Sequence, residues 1–221
     1  LDADSTEPPQ IGKSFKLLSV AKGSARGNNR IAQAKPRKLN GEIRKRAHVG
    51  SNYHIIPRAM SLKLNYQLMK PEDVRATLDR LADDILKTND GRPVVLLGIQ
   101  RRGVPMAKRM AIRMAEKTKR EPQIGSLDIN LYRDDLTRVA FQPVVRKTEV
   151  PPDIDDKDII LVDDVLYTGR TIRAALDALC DFGRMRSIQL AVLIDRGHRE
   201  LPIEANFIGK KITTKDNEVV E

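Results

Sequence analysis

Apolar positions follow two patterns that alternate from about residue 62 onward. Mainly apolar runs at residues 93–99, 159–162 and 188–194 are typical of strands buried on both faces of a parallel sheet. Between them, apolar residues recur at the spacing of an amphipathic helix. These helical positions are Val74, Leu78, Leu81, Ala82 and Ile85, then Ala107, Met110, Ala111 and Met114, then Ile172, Ala175, Leu176, Leu179 and Cys180.

The order of these segments predicts an α/β fold with a mostly parallel sheet flanked by helices. Residues 124–131 alternate like a half-buried strand, and a last strand is predicted at 207–212. Residues 132–156 carry alternating charges and three prolines, which predicts a mobile loop or hairpin. In such folds, ligands bind at the carboxyl ends of the strands.

Polar loops follow three of the predicted strands, at residues 100–103, 163–171 and 195–199. In a parallel sheet, all three lie at the same edge and border one cleft. Their acidic residues suit a metal ion or sugar hydroxyls, and their arginines suit phosphate groups.

The loop at residues 163–171 has the most specific pattern of the three. Asp163 and Asp164 end a buried strand, and residues 168–171 (Thr-Gly-Arg-Thr) precede a helix whose free N–H groups and dipole favour phosphate. Two carboxylates would repel a bare phosphate, but they suit the hydroxyls of an attached sugar. The pattern therefore predicts a sugar-phosphate ligand, without a P-loop.

The net charge of +10 comes almost entirely from the N-terminal part of the chain. Residues 11–60 hold 12 Lys or Arg residues and one acid, whereas residues 61–221 carry a net charge of only +2. We interpret residues 1–60 as a basic extension that is disordered or loosely attached, and residues 61–221 as the folded domain. A solvated tail, an organelle transit segment and a nucleic-acid-binding arm are the three interpretations of the extension. The start at Leu1 is expected of a fragment or a processed product.

Two further features limit the class of protein. No apolar run approaches the roughly 18 residues that a membrane span requires. The single cysteine, Cys180, lies on the apolar face of a predicted helix, so we expect it to be a core residue in a reducing compartment.

Three motifs together resemble one family, the pyrimidine-operon attenuation regulators that are also uracil phosphoribosyltransferases. They are residues 162–171 (Val-Asp-Asp-Val-Leu-Tyr-Thr-Gly-Arg-Thr), residues 132–136 (Tyr-Arg-Asp-Asp-Leu) and residues 195–202 (Asp-Arg-Gly-His-Arg-Glu-Leu-Pro). The resemblance extends from about Met69 to the end of the chain. It implies the type I phosphoribosyltransferase fold, with a small hood and a mobile loop.

The resemblance also implies a reaction: uracil and phosphoribosyl diphosphate (PRPP) give UMP and diphosphate, with Mg²⁺ as cofactor. The implied PRPP-binding residues are Arg101, Arg102, Asp163, Asp164, Val165, Leu166, Tyr167, Thr168, Gly169, Arg170 and Thr171. Asp163 and Asp164 are the implied catalytic carboxylates, and Arg102 is the expected diphosphate contact. Arg133 is the third catalytic candidate, because it could close over the diphosphate and exclude water.

The metal and base sites are assigned by the same resemblance. Asp163, Asp164 and Asp195 are the expected magnesium contacts, partly through PRPP, and a salt bridge from Asp195 to Arg196 or Arg199 is the alternative. The base site comprises Ile194, Asp195, Arg196 and Gly197, in a hood over the base at residues 194–201. Tyr167 stands where purine-salvage relatives generally carry an acid, which favours a pyrimidine. We expect His198 to be a structural or hood residue rather than a general base.

Regulation is the alternative function. A UMP-responsive, RNA-binding attenuation protein is favoured by Arg170, Arg184, Arg186 and the basic extension. It is disfavoured by Asp79, Asp83 and Asp84 on the first helix, where acids would repel RNA. Family members are usually homo-oligomers. A bacterial chain would be cytoplasmic, and a eukaryotic chain would be in a plastid or another organelle.

Overall fold

In the computed structural model, the described residues are 14–20, 62–129, 132 and 148–221. The elements in chain order are β1 (Phe15–Val20), β2 (Leu62–Met69), α1 (Pro71–Thr88), β3 (Val94–Ile99), α2 (Gly103–Thr118), β4 (Gln123–Leu127), β5 (Asp158–Leu166), α3 (Arg170–Cys180), β6 (Ser187–Asp195), β7 (Phe207–Lys211) and β8 (Glu218–Val220). No helix among these residues is long and apolar enough to cross a membrane.

Five strands form a wholly parallel central sheet in the order β4-β3-β5-β6-β7. Alternate side chains of a strand point to opposite faces, so each face has its own core. Leu96 and Ile160 pack with α1 and α2 on one face. Val95 and Ile159 pack with α3 on the other. The predicted α/β fold with helices on both faces is confirmed.

A second, three-stranded antiparallel sheet has the order β2-β1-β8. Phe15 and Leu17 of β1 are buried in the core that also contains α1 and α2. The expectation of a disordered extension over residues 1–60 is therefore wrong for Phe15–Val20, because apolar side chains and strand pairing tie this segment to the domain. Residues 1–13 and 21–60 lie outside the described residues, and the division between 60 and 61 stays a prediction.

Two expectations for helices are also corrected. Cys180 is exposed rather than buried, because it is the last residue of α3, where the helix ends. The acids of α1 do not form a free acidic row. Asp79 pairs with Arg109, and Asp83 pairs with Arg113 and Lys117 of α2, while Asp84 pairs with Arg80.

Candidate functional site

The carboxyl ends of β3, β5 and β6 lie side by side in the sheet. In the register, Gly98 of β3 is opposite Val162 of β5, and Leu166 of β5 is opposite Asp195 of β6. The three loops predicted to border one cleft therefore do leave the same edge of the sheet.

Two glycines allow the loop after β3 to pack tightly against β5. A Cβ on Gly103 would overlap the Val162 carbonyl group, and a Cβ on Gly98 would overlap the backbone of Val104. The start of α2 thus lies directly against the strand that carries the acidic pair. The loop also contains a cis peptide bond between Gln100 and Arg101, and Arg101 is exposed.

Asp163 and Asp164 differ sharply in environment. Asp163 is only 7% exposed, and burial together with the neighbouring charge of Asp164 raises its pKa well above the usual value. Asp164 is partly exposed and accepts a 2.9 Å salt bridge from Arg102. The expected diphosphate contact, Arg102, is therefore paired with an expected sugar contact in this structure.

The residues that follow the acidic pair form a turn at the N-terminus of α3. Gly169 is the residue before the helix, and its φ of +92° lies in the left-handed region that favours glycine. The Arg170 N–H donates to Thr168 Oγ1 at 3.4 Å, and the Arg170 side chain bonds to Glu200 at 2.7 Å. Residues 168–171 thus lie at the N-terminus of a helix, where backbone N–H groups lack intrahelical acceptors, as the sequence predicted.

The loop after β6 is held against this turn by Arg199. The Arg199 guanidinium donates to the carbonyl oxygen of Tyr167 at 2.7 Å and to Asp195 Oδ1 at 2.6 Å. Of the two salt bridges considered for Asp195, the one to Arg199 is present. Burial raises the pKa of Asp195, but Arg199 and the Gly197 N–H outweigh it, and the pKa stays below its ordinary value.

Arg196 has an internal role that the sequence did not indicate. It is buried, donates to Thr214 Oγ1 and to the Glu218 carbonyl oxygen, and stacks 4.0 Å from the centre of the Tyr167 ring. Burial lowers the pKa of its guanidinium. The Arg196 N–H also donates to the Leu166 carbonyl oxygen at 3.1 Å. Because the guanidinium is bonded to Thr214 and Glu218 and stacked on Tyr167, the side chain is engaged rather than free to contact a base.

The remaining candidates are placed as follows. Val165, Leu166 and Ile194 belong to the central strands, and Leu166 and Ile194 are buried. His198 contacts the Thr214 carbonyl oxygen at 2.7 Å and Asp216 at 3.3 Å, and lies edge-on to Tyr167. Arg133 lies outside the described residues.

No group of three or more His, Cys, Asp or Glu side chains in the described ranges could hold a metal ion by itself. Asp163 and Asp164 are the only adjacent acids at this sheet edge among those residues. A cation beside them would stabilise the charged form of Asp163, which burial and Asp164 disfavour. Carboxylate oxygens suit Mg²⁺, which usually keeps other oxygen ligands from water or substrate, so these residues fit that ion.

Comparison with known proteins gives a consistent result. The phosphoribosyl transferase domain family matches residues 68–221. The bifunctional protein PyrR of Pelotomaculum thermopropionicum is 55% identical over 155 residues, which is 70% of this chain and 86% of that protein. The bifunctional protein PyrR of Thermus aquaticus is 53% identical over 161 residues, covering 72% and 89%.

Solved structures show the same fold at low identity. A hypoxanthine-guanine phosphoribosyltransferase from Bacillus anthracis has a TM-score of 0.51 at 18% identity, covering 67% of this chain and 82% of that one. A hypoxanthine phosphoribosyl transferase from Trypanosoma cruzi has a TM-score of 0.52 at 17% identity, covering 65% and 75%. At these identities the likeness concerns the fold alone.

Proposed function

Because the chain belongs to the phosphoribosyl transferase domain family, we propose that it is a uracil phosphoribosyltransferase, a pentosyltransferase that makes UMP and diphosphate from uracil and PRPP. One observation carries the proposal. The acidic pair, the helix-capping turn and the arginine-bearing loops meet at one sheet edge, in a chain about half identical to bifunctional PyrR proteins.

The chemistry requires that diphosphate leave C1 of the ribose while uracil approaches. Positive charge develops on the sugar ring and negative charge on the leaving group, so positioning and electrostatic stabilisation are the main demands. Asp163 and Asp164 hold the ribose hydroxyls, and residues 168–171 bind the 5′-phosphate. Arg101 and Arg102 stabilise the diphosphate, and Arg133 excludes water from it.

Asp163 and Asp164 would hold Mg²⁺ together with PRPP, and the ion would supply positive charge that stabilises the diphosphate. Asp195 would be a further magnesium contact, although its Oδ1 already accepts bonds from Arg199 and Gly197. Arg102 is bonded to Asp164 in this structure. To contact the diphosphate, Arg102 must therefore exchange Asp164 for PRPP when PRPP binds.

For the base, Ile194, Asp195, Arg196 and Gly197 are proposed to read uracil mainly through their backbone groups. Arg196 then acts by supporting Tyr167, because its guanidinium is already bonded to Thr214 and Glu218. Tyr167 is 38% exposed beside this segment, and its ring is available as one wall of the base site.

A panel of bases tests the assignment. Purified protein with PRPP and Mg²⁺ is expected to convert uracil to UMP, measured by chromatography of the nucleotide product. Turnover of hypoxanthine or orotate without turnover of uracil would overturn the substrate assignment.

RNA binding is the second candidate function, and the salt bridges between α1 and α2 favour it. Arg109, Arg113 and Lys117 neutralise the acids that would otherwise repel a phosphate backbone. In contrast, Arg170 and Arg186 are paired with Glu200 and Asp158 and lie at opposite edges of the sheet. The expected result is a salt-sensitive, UMP-enhanced gel shift of a pyrimidine-gene leader RNA, and binding equal to that of random RNA would remove this candidate.

The compartment and the homo-oligomeric state stay predictions.

A further inference from the structure

Arg199 bonds to backbone carbonyl groups of both the loop after β6 and the turn after β5. Its guanidinium donates to the carbonyl oxygens of Tyr167 at 2.7 Å, Ile203 at 2.9 Å and Gly197 at 3.1 Å, and to Asp195 Oδ1 at 2.6 Å. The side chain is only 21% exposed. These bonds occupy the planar donor fork of the arginine, so Arg199 joins the loop after β6 to the turn after β5.

The next carbonyl of the turn is held from the same side. The N–H groups of Glu200 and Leu201 both donate to the Thr168 carbonyl oxygen, at 3.0 and 3.1 Å. Two successive carbonyl groups of the turn, those of Tyr167 and Thr168, are thus bonded to the segment that Arg199 begins.

The direction of these carbonyls decides the direction of the N–H groups. In a trans peptide, the C=O of one residue and the N–H of the next point in opposite directions across a rigid plane. Fixing the Tyr167 and Thr168 carbonyls towards the β6 loop therefore turns the N–H groups of Thr168 and Gly169 away from it. Within the described part of the chain, neither N–H has a protein acceptor.

We infer that Arg199, oriented by Asp195, is a positioning residue that aims the Thr168 and Gly169 N–H groups at the 5′-phosphate of the ligand. The inference deepens the proposed function and rests on it for the identity of the ligand. Arg199 acts through the backbone of the turn and does not itself need to touch PRPP.

This role is distinguishable from a direct contact with diphosphate, because UMP and ribose 5-phosphate carry the 5′-phosphate without diphosphate. We expect Arg199→Gln to weaken binding of both compounds by about 10-fold to 100-fold, as a small displacement of aligned groups does. Binding is measured by calorimetry with a chelator present, which removes any effect through Mg²⁺. Weakened PRPP binding with unchanged UMP and ribose 5-phosphate binding would overturn the inference in favour of a direct diphosphate contact.

Two other variants separate geometry from charge. Arg199→Lys keeps the charge but lacks the fork of donors, so we expect most of the loss of UMP affinity to persist. Full recovery of UMP binding would contradict the inference.

Asp195→Asn leaves Arg199 in place with a weaker partner, so a smaller loss of UMP affinity is expected. This variant also serves if Arg199→Gln does not fold, and unchanged UMP binding by Asp195→Asn would also count against the inference.

Arg80→Gln is the matched control. Arg80 also joins a carboxylate, that of Asp84, to two carbonyl oxygens, those of Ile208 and Gly209, but it lies on α1. We expect this variant to lower the melting temperature without changing the affinity for UMP. Equal loss of UMP affinity in both variants would overturn the inference, since the effect would then be general. Ribose 5-phosphate contains no base, so its binding tests the turn independently of which base the enzyme uses. If the wild-type protein does not convert uracil, the proposed function fails, but this test of Arg199 remains valid.

Discussion

Asp163 is a buried carboxyl group, and its ionised form is unfavourable in the folded protein. It lies beside Asp164, and both burial and that neighbour raise its pKa. A carboxyl group whose pKa is higher in the folded state than in the unfolded state destabilises the fold increasingly as the pH rises above the unfolded value, and fully above the folded value. Carboxyl groups with strongly raised pKa values cluster at functional sites, which agrees with the proposed contact of Asp163 with ribose hydroxyls.

Asp163→Asn is therefore expected to raise the free energy of unfolding while lowering activity. The amide mimics the neutral carboxyl group that the site favours, but it cannot hold the ribose with a charge. Urea unfolding at pH 8 in a chelator and uracil turnover with Mg²⁺ are the two measurements. Asp177→Asn, in the exposed pair with Arg173 on α3, is the control and should change neither. A less stable Asp163→Asn protein would show that the carboxylate is structural.

At the scale of elements, the carboxyl ends and the amino ends of the central strands have different roles. The carboxyl ends of β3, β5 and β6 carry the candidate site. At the opposite edge, Asp158 begins β5 and is nearly fully buried, and it accepts bonds from Arg186 at 3.0 Å and Ser187 at 2.7 Å at the start of β6. Arg186 lowers the pKa of Asp158 to about 2, against the opposing effect of burial. This edge fastens neighbouring strands together.

The lowered pKa gives a definite pH window for this contribution. Because the folded-state pKa lies below the unfolded value, ionised Asp158 stabilises the fold fully above pH ~4 and loses this effect as the pH falls to about 2. We expect Asp158→Asn to cost about 2 kcal/mol at pH 7. Urea unfolding across this window should show the difference from wild type shrinking with acid. An unchanged difference at pH 2 would indicate that packing, not charge, is responsible.

At the scale of the whole molecule, the domain is closed by segments distant in sequence. β1 pairs with β2 and with β8, so residues near 17, 66 and 220 lie in one small sheet. Phe15, Leu17 and Val220 then complete the core on the α1 and α2 face. A segment that composition assigned to a basic tail is thus part of the folded domain.

Leu17→Ala tests this role of β1. Leu17 is almost fully buried, so the truncation should lower the free energy of unfolding by about 3 kcal/mol through lost burial and a cavity. Chemical denaturation measures it. Lys16→Ala on the same strand removes an exposed side chain and is expected to change stability little. Equal small effects in both variants would mean that β1 does not contribute to the core.

Much of the central domain could be predicted from local sequence. Apolar runs and helical spacing indicated α1, α2, α3 and the buried strands, because these patterns reflect which faces each element must bury. The parallel arrangement then placed residues 100–103, 163–171 and 195–199 at one edge. The motifs themselves indicated a sugar phosphate, since acids before a helix N-terminus suit hydroxyls beside a phosphate.

Other features were decided only by tertiary structure. The pairing of β1 with β8 joins segments about 200 residues apart. Short strands of this kind have too few apolar positions for the sequence to indicate which strand they pair with. The Arg102–Asp164 salt bridge and the bond from Arg199 to the Tyr167 carbonyl oxygen depend on which loops meet at this end of the sheet and how closely. The sequence alone therefore determined the residue types that suit a sugar phosphate. Only the packing of one loop against another decided which side chains remain available for the ligand and which hold the backbone in place.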